Sequence, residues 1–289
     1  MKIKLFQKGF NYSQDGPGNR LVYHLQGCNM RCQWCSNPEG IPAVPPLMVL
    51  SDHLLSEICP YGAIQNGKLN RSFCEGCTAR DCVTTHKNTS LVCRCETVEV
   101  DELVEEAKRS APMFFDNGGV TLTGGEVTLQ FDAAKELLTK LKQAGIHTAI
   151  ESNASHPRFC ELFPVIDYLI MDFKHYDDAK HKQYTGITCR QNIKNLHQAL
   201  DSGKLMSVRI PLINGFNASP EDMDGFIECI KGHHSDNATF EILSYHEYGK
   251  DKWEQCGFIY AMKDAHVSAD TVKQFEQKLN ANGFHVIRT

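Results

Sequence analysis

From about residue 98 onward, short β-prone runs alternate with amphipathic helical segments, and that alternation restricts the chain to a parallel sheet built from βα units. The runs are Val120–Thr123, His147–Ser152, Tyr168–Phe173, Ser207–Leu212 and Phe240–Tyr245, with Leu21–Leu25 upstream as a sixth. Between them, apolar residues recur at helical spacing: Val100, Leu103, Val104 and Ala107 in one segment, Met223, Phe226, Ile227 and Ile230 in another. Ser219-Pro220 supplies a cap and a first-turn proline for the second. A last helix carrying Val272, Phe275 and Leu279 should stop at Asn282-Gly283. Six units are too few to close an eight-stranded barrel, so the expected fold is α/β, a partial (β/α)6 TIM-like barrel.

In such barrels the chemistry gathers where the strands end. Each run here ends in, or is followed by, polar or glycine-rich residues: Cys28 to Cys35, Gly124-Gly125-Glu126, Glu151-Ser152-Asn153, Asp172 with Lys174, Arg209 with Asn214-Gly215, and Tyr245-His246. These should converge on one mouth. Residues 46–97 break the alternation and carry cysteines of their own. The expected organisation is therefore a barrel formed by 1–45 and 98–289, with a small ferredoxin-like iron–sulfur domain inserted at 46–97.

A chain of 289 residues that is 42% hydrophobic can bury a substantial core. Its formal net charge of -5 offers no basic face, so no nucleic-acid partner is expected. Met1-Lys-Ile-Lys-Leu-Phe is no signal peptide, and no apolar run reaches the roughly 18 residues of a membrane span. The reading is a cytoplasmic protein without a membrane partner. Thirteen cysteines in such a chain argue for metal ligation over disulfides, and nine of them fall between Cys28 and Cys95. Cys160, Cys189, Cys229 and Cys256 are scattered singly and read as small buried hydrophobes.

Cys28-Asn-Met-Arg-Cys32-Gln-Trp-Cys35 has the spacing C-x3-C-x2-C. Three thiolates this close can hold one face of a cubane 4Fe-4S cluster and leave its fourth iron without a protein ligand. Zinc would ask for a fourth Cys or His nearby, which does not follow, and a redox dithiol would leave Cys28 unexplained. In the insertion, Cys59-Pro60, Cys74-Glu-Gly-Cys77 and Cys82 supply four thiolates, the full set for a second, auxiliary 4Fe-4S cluster. Cys93 or Cys95 is the alternative to Cys82 as fourth ligand, and a four-cysteine zinc site is the alternative use of the set.

The cysteine triplet has an aromatic residue, Trp34, before its last member, with Asp15-Gly-Pro-Gly18-Asn-Arg20 upstream and Ser36-Asn-Pro-Glu39 downstream. Together these resemble the radical S-adenosylmethionine (SAM) superfamily and, within it, the glycyl radical enzyme activating enzymes, the group that includes the pyruvate formate-lyase activator. The resemblance implies an oxidoreductase that reductively cleaves SAM and uses the 5'-deoxyadenosyl radical to abstract a hydrogen from a backbone glycine of a partner glycyl radical enzyme. No side-chain acid or base is required for that step. Gly124-Gly125-Glu126 resembles the family's Gly-Gly-Glu motif, which receives the cofactor's amino group; Asp172-Phe-Lys174 resembles its Asp-x-Lys motif, in which the lysine pairs with the cofactor carboxylate. Trp34, Ser152, Asn153, Arg209 and His246 match positions around the same cofactor, and Glu151, Ser152 and Asp172 match a monovalent cation site beside it. The implied partners are the glycyl radical enzyme and a flavodoxin- or ferredoxin-type electron donor, the protein itself acting as a monomer. Two other readings share these motifs: a radical SAM enzyme acting on a small molecule or RNA, and an iron–sulfur electron-transfer protein, which leaves Gly124 to Glu126 without a use.

Overall fold

The computed structural model describes residues 1–10, 14–51, 59–74, 76–85, 90–233 and 236–288. Residues 52–58, 75 and 86–89 of the expected insertion lie outside the described residues. In chain order the strands are β1 (Lys2–Phe10), β2 (Arg20–Leu25), β3 (Met48–Val49), β4 (Ile64–Gln65), β5 (Lys68–Leu69), β6 (Leu91–Val92), β7 (Glu96–Glu99), β8 (Gly119–Gly124), β9 (His147–Ser152), β10 (Tyr168–Asp172), β11 (Met206–Leu212), β12 (Ala238–Ser244) and β13 (His285–Ile287). The helices are α1 (Asp81–Thr84), α2 (Val100–Ser110), α3 (Phe131–Gln143), α4 (Asp178–Thr185), α5 (Arg190–Asp201), α6 (Pro220–Ile230), α7 (Lys250–Cys256) and α8 (Ala269–Ala281).

The six strands expected from sequence, β2, β8, β9, β10, β11 and β12, lie side by side in that order, and every neighbouring pair is parallel. β13 extends the parallel set beyond β12, while β1 pairs antiparallel with β2 and β7 antiparallel with β1 at the other edge. The result is an open sheet in the order β13-β12-β11-β10-β9-β8-β2-β1-β7. β7 joins it from Glu96, slightly ahead of residue 98. The insertion forms two separate ladders, β3 with β6 and β4 with β5, both antiparallel.

Helical periodicity translates directly into burial. α2 buries Val100, Leu103, Val104 and Ala107, and α6 buries Met223, Phe226, Ile227 and Ile230 along with Asp222. Ser219 and Asp222 cap α6 reciprocally: the Asp222 amide donates to Ser219 Oγ at 3.1 Å, and the Ser219 amide to Asp222 Oδ2 at 3.2 Å. These faces join Leu122, Ile150, Val208 and Phe240 of the sheet in one large core. A smaller core of Leu47, Ile64, Cys82 and Leu91 holds the insertion. Of the lone cysteines, Cys189 and Cys256 are buried, and Cys160 and Cys229 pack half-buried against the main core. Among the described residues, no helix is long and apolar enough to cross a membrane.

The parallel order sorts the connections. The loops leaving β2, β8, β9, β10, β11 and β12 emerge at one edge of the sheet, and the helix-to-strand returns at residues 144–146, 202–205 and 231–233 lie at the other.

Candidate functional site

The loops after the parallel strands enclose a cavity of about 340 Å³, within the range of small-molecule sites. Cys28, Cys32, Trp34 and Cys35 line it from the loop after β2; Gly124 and Gly125 from β8; Glu151, Ser152 and Asn153 from β9; Asp172 and Lys174 from β10; Arg209 from β11; and His246 from the loop after β12. Of the strand-end residues expected at one mouth, these line the cavity together, whereas Glu126, Asn214 and Gly215 do not.

Glu126 turns away from the cavity. Its Oε1 accepts from the Thr128 amide at 2.9 Å, Thr128 Oγ1 at 2.6 Å and Ser152 Oγ at 2.7 Å, and its Oε2 accepts the Asn153 amide at 2.8 Å. A carboxylate that is 1% exposed needs such donors, and here they are spent on joining the ends of β8 and β9. Gly124 and Gly125 likewise answer a local demand. Gly124 has φ +118°, and its missing Cβ leaves room for the backbone of His24 and Leu25, while Gly125 lies against the Gly27 carbonyl. The Gly125 amide bonds to Leu25 O at 2.9 Å and the Glu126 amide to Gly27 O at 2.7 Å, so the pair welds β8 to the start of the cysteine loop.

The thiols lie in the cavity wall, with Lys174 acting on Cys32 and Cys35. Burial pushes Cys35 up to about 12, and it raises Cys28 and Cys32 as well, while Lys174 works in the opposite direction on Cys32. Ligation to soft metal centres removes those protons, so the lysine favours the liganded form. Lys174 Nζ donates to Asp172 Oδ2 at 2.8 Å and is 11% exposed. Burial opposes its charge, but Asp172 and then Cys32 more than compensate and hold it protonated. Trp34 packs on Phe216 with ring centroids 5.1 Å apart, and His246 stacks on Tyr248 at 4.2 Å.

The expected cation ligands do not form one set. Glu151 Oε1 accepts from Arg209 Nη1 at 2.7 Å and Oε2 from Thr123 Oγ1 at 2.7 Å; Ser152 is bonded to Glu126 and Asp172 to Lys174. Arg209 also donates Nε to Glu241 Oε2 at 2.9 Å and Nη2 to the Gln14 carbonyl. Burial disfavours this guanidinium, but Glu151 and Glu241 hold it above its usual range. The arginine brings to Glu151 the positive charge that a cation would have brought, and the three residues do not fit a cation site.

Two titratable cavity residues, Asp15 and His24, were assigned no role from the sequence. Asp15 entered the sequence reading within Asp15-Gly-Pro-Gly18, which helps carry the resemblance, but was given no place at the mouth; burial and then Glu151 raise it to about 7 against the pull of Arg209 and Arg20. His24 lies near the end of β2 opposite Thr123, with Nδ1 buried and unpartnered, and burial lowers it to about 4. A polar residue late in an apolar strand was the available signal.

In the insertion, Cys59, Cys74, Cys77 and Cys82 line one small cavity together with Leu47, Ile64 and Leu91. Cys93 and Cys95 line a different one, and Arg80 borders both. Among the described residues, no three His, Cys, Asp or Glu side chains are arranged to hold a single metal ion.

The Radical SAM superfamily matches residues 22–227. The chain is 35% identical over 270 residues to the 4-hydroxyphenylacetate decarboxylase activating enzyme of Clostridioides difficile, covering 86% of this chain and 84% of that one. It is 33% identical over 270 residues to the choline trimethylamine-lyase activating enzyme of Oleidesulfovibrio alaskensis, covering 86% and 85%. Among solved structures, QueE from Escherichia coli shares the fold with a TM-score of 0.53 at 12% identity, over 99% of this chain and 93% of that one.

Proposed function

Because the chain belongs to the radical SAM superfamily and, within it, to the activating enzymes of glycyl radical enzymes, we propose a division of labour among the residues at its mouth. The protein generates a glycyl radical in a partner enzyme at the expense of SAM. When bound, the 4Fe-4S cluster and SAM together supply the one-electron cleavage that yields methionine and the radical that removes the glycine hydrogen. Cys28, Cys32 and Cys35 would hold the cluster by three corners. Lys174, kept charged by Asp172, would take the cofactor carboxylate, and the backbone at Gly124-Gly125 would receive its amino group. Trp34 and His246 offer flat surfaces in the cavity lining. Arg209, Glu151 and Glu241 brace β11, β9 and β12 to one another at the cavity.

The observation that carries this reading is the sharing of one cavity by the three thiols and the Asp172–Lys174 pair. The insertion's Cys59, Cys74, Cys77 and Cys82 would hold a second 4Fe-4S cluster; their common cavity, from which Cys93 and Cys95 are absent, supports Cys82 as fourth ligand. A flavodoxin- or ferredoxin-type protein is the class of donor that supplies single electrons to such a centre. The partner class is a glycyl radical lyase or decarboxylase, in keeping with the relatives' partners. With deuterium at the partner's radical glycine, label should appear in 5'-deoxyadenosine together with a glycyl radical signal. Label arriving only from a small metabolite would overturn the assignment in favour of a small-molecule enzyme.

A further inference from the structure

α7 is seven residues long and touches both cysteine-bearing regions. At its start, Gly249 closes on the first cysteine loop so tightly that a Cβ there would stand 2.6 Å from Ser36 Cα and 2.7 Å from the Cys35 carbonyl oxygen. Two side chains lock the contact. Trp253 Nε1 donates to the Cys35 carbonyl at 2.9 Å, and Lys252 Nζ donates to Glu39 Oε1 at 2.7 Å and Asn37 Oδ1 at 2.8 Å. Glu39 is 1% exposed, so its bond to the ammonium is a charge-assisted one with little competing water.

The other end of α7 meets the insertion. Arg71 Nη2 donates to the Gln255 carbonyl at 2.7 Å, and Nη1 of the same guanidinium donates to the Leu47 carbonyl at 2.6 Å. Gly257, with φ +75°, ends the helix in the left-handed region, and any Cβ on it would fall on Arg71 Nε. Arg71 opens the single turn Arg71–Cys74, so the residue that grips α7 lies on the turn that presents Cys74.

A short helix fixed at both ends moves as a unit. We infer that α7 is a spacer that fixes the insertion relative to the Cys28–Cys35 loop, with Arg71 as the positioning residue through which the insertion's placement reaches the Cys35 backbone. The planar guanidinium suits this role because it bonds two carbonyls at set angles, which a lysine cannot reproduce. The inference does not require the second cluster, since every contact named is made by protein atoms.

The test uses the anaerobically reconstituted full chain. In Arg71→Ala, limited proteolysis within the insertion should run about tenfold faster while the barrel stays protected. The EPR signal of the reduced Cys28/Cys32/Cys35 cluster with SAM bound should shift in the same variant, and Arg71→Lys should fall between it and the parent. Trp253→Phe should give the EPR shift with parental proteolysis, because it cuts the spacer at the far end; it also serves where Arg71→Ala folds poorly. Parental proteolysis in Arg71→Ala, or an unshifted EPR signal in either Arg71→Ala or Trp253→Phe, would overturn the inference.

Discussion

Lys174 concentrates the chemistry of the mouth in one side chain, since it pairs with Asp172 and lowers the cost of ionising Cys32 without ligating iron. Lys174→Ala should weaken SAM binding by roughly 1–3 kcal/mol through loss of a charge-assisted bond. Cluster absorbance and EPR in the absence of SAM should stay parental, and equilibrium binding measured beside those spectra checks both halves. Asp15 carries a different signature. Its folded value, about 7, stands above its ordinary 3.8, so the stability it contributes is complete below 3.8 and lost as pH rises through about 7. Asp15→Asn should therefore flatten the dependence of Tm on pH across that window. A slope equal to the parent's would show that Asp15 titrates like an exposed carboxyl.

At the scale of elements, the proposal of Cys82 as fourth ligand in the insertion rests on which cavity each thiol lines. Cys82→Ser should remove about half of the roughly eight irons of a fully reconstituted chain, while Cys93→Ser and Cys95→Ser keep them all. The opposite pattern would move the fourth ligand to Cys93 or Cys95. The six inner strands were legible because each is a short β-prone run, mostly buried and ended by polar or glycine residues, a pattern set by local sequence. The three outer strands were not. β7 reads Glu-Thr-Val-Glu and β13 has three residues, so neither offers an apolar run, and their pairing is dictated by the sheet edge they cover. Similar limits hold at the mouth. The cysteine triplet and Lys174 announce themselves by spacing, whereas the turning of Glu126 toward Ser152 and Asn153, and the arginine clasp on Glu151 and Glu241, depend on strands brought together only by folding.

Among the described residues the molecule rests on one large core and two small ones, the third formed by Ile213, Phe216, Tyr245 and Ala265 near the mouth. The main one runs through the entire sheet and its helices, whereas that of the insertion has, among the described residues, four buried side chains, one of them Cys82. A core that small needs a staple, and the second cluster proposed for its cysteines would supply one. Iron chelation should therefore expose the insertion to protease while circular dichroism of the barrel persists; simultaneous loss of both would show a single cooperative unit. The sorting of connections to opposite edges of the sheet also has an engineering side. The turns around Gly145 and Gly232 lie at the edge away from the mouth, and nothing stands within 4 Å of the space a side chain would take at either. A fluorescent reporter spliced into either turn should leave SAM cleavage at the parental rate, so the molecule offers handles for watching it dock with a partner that do not interfere with the docking itself.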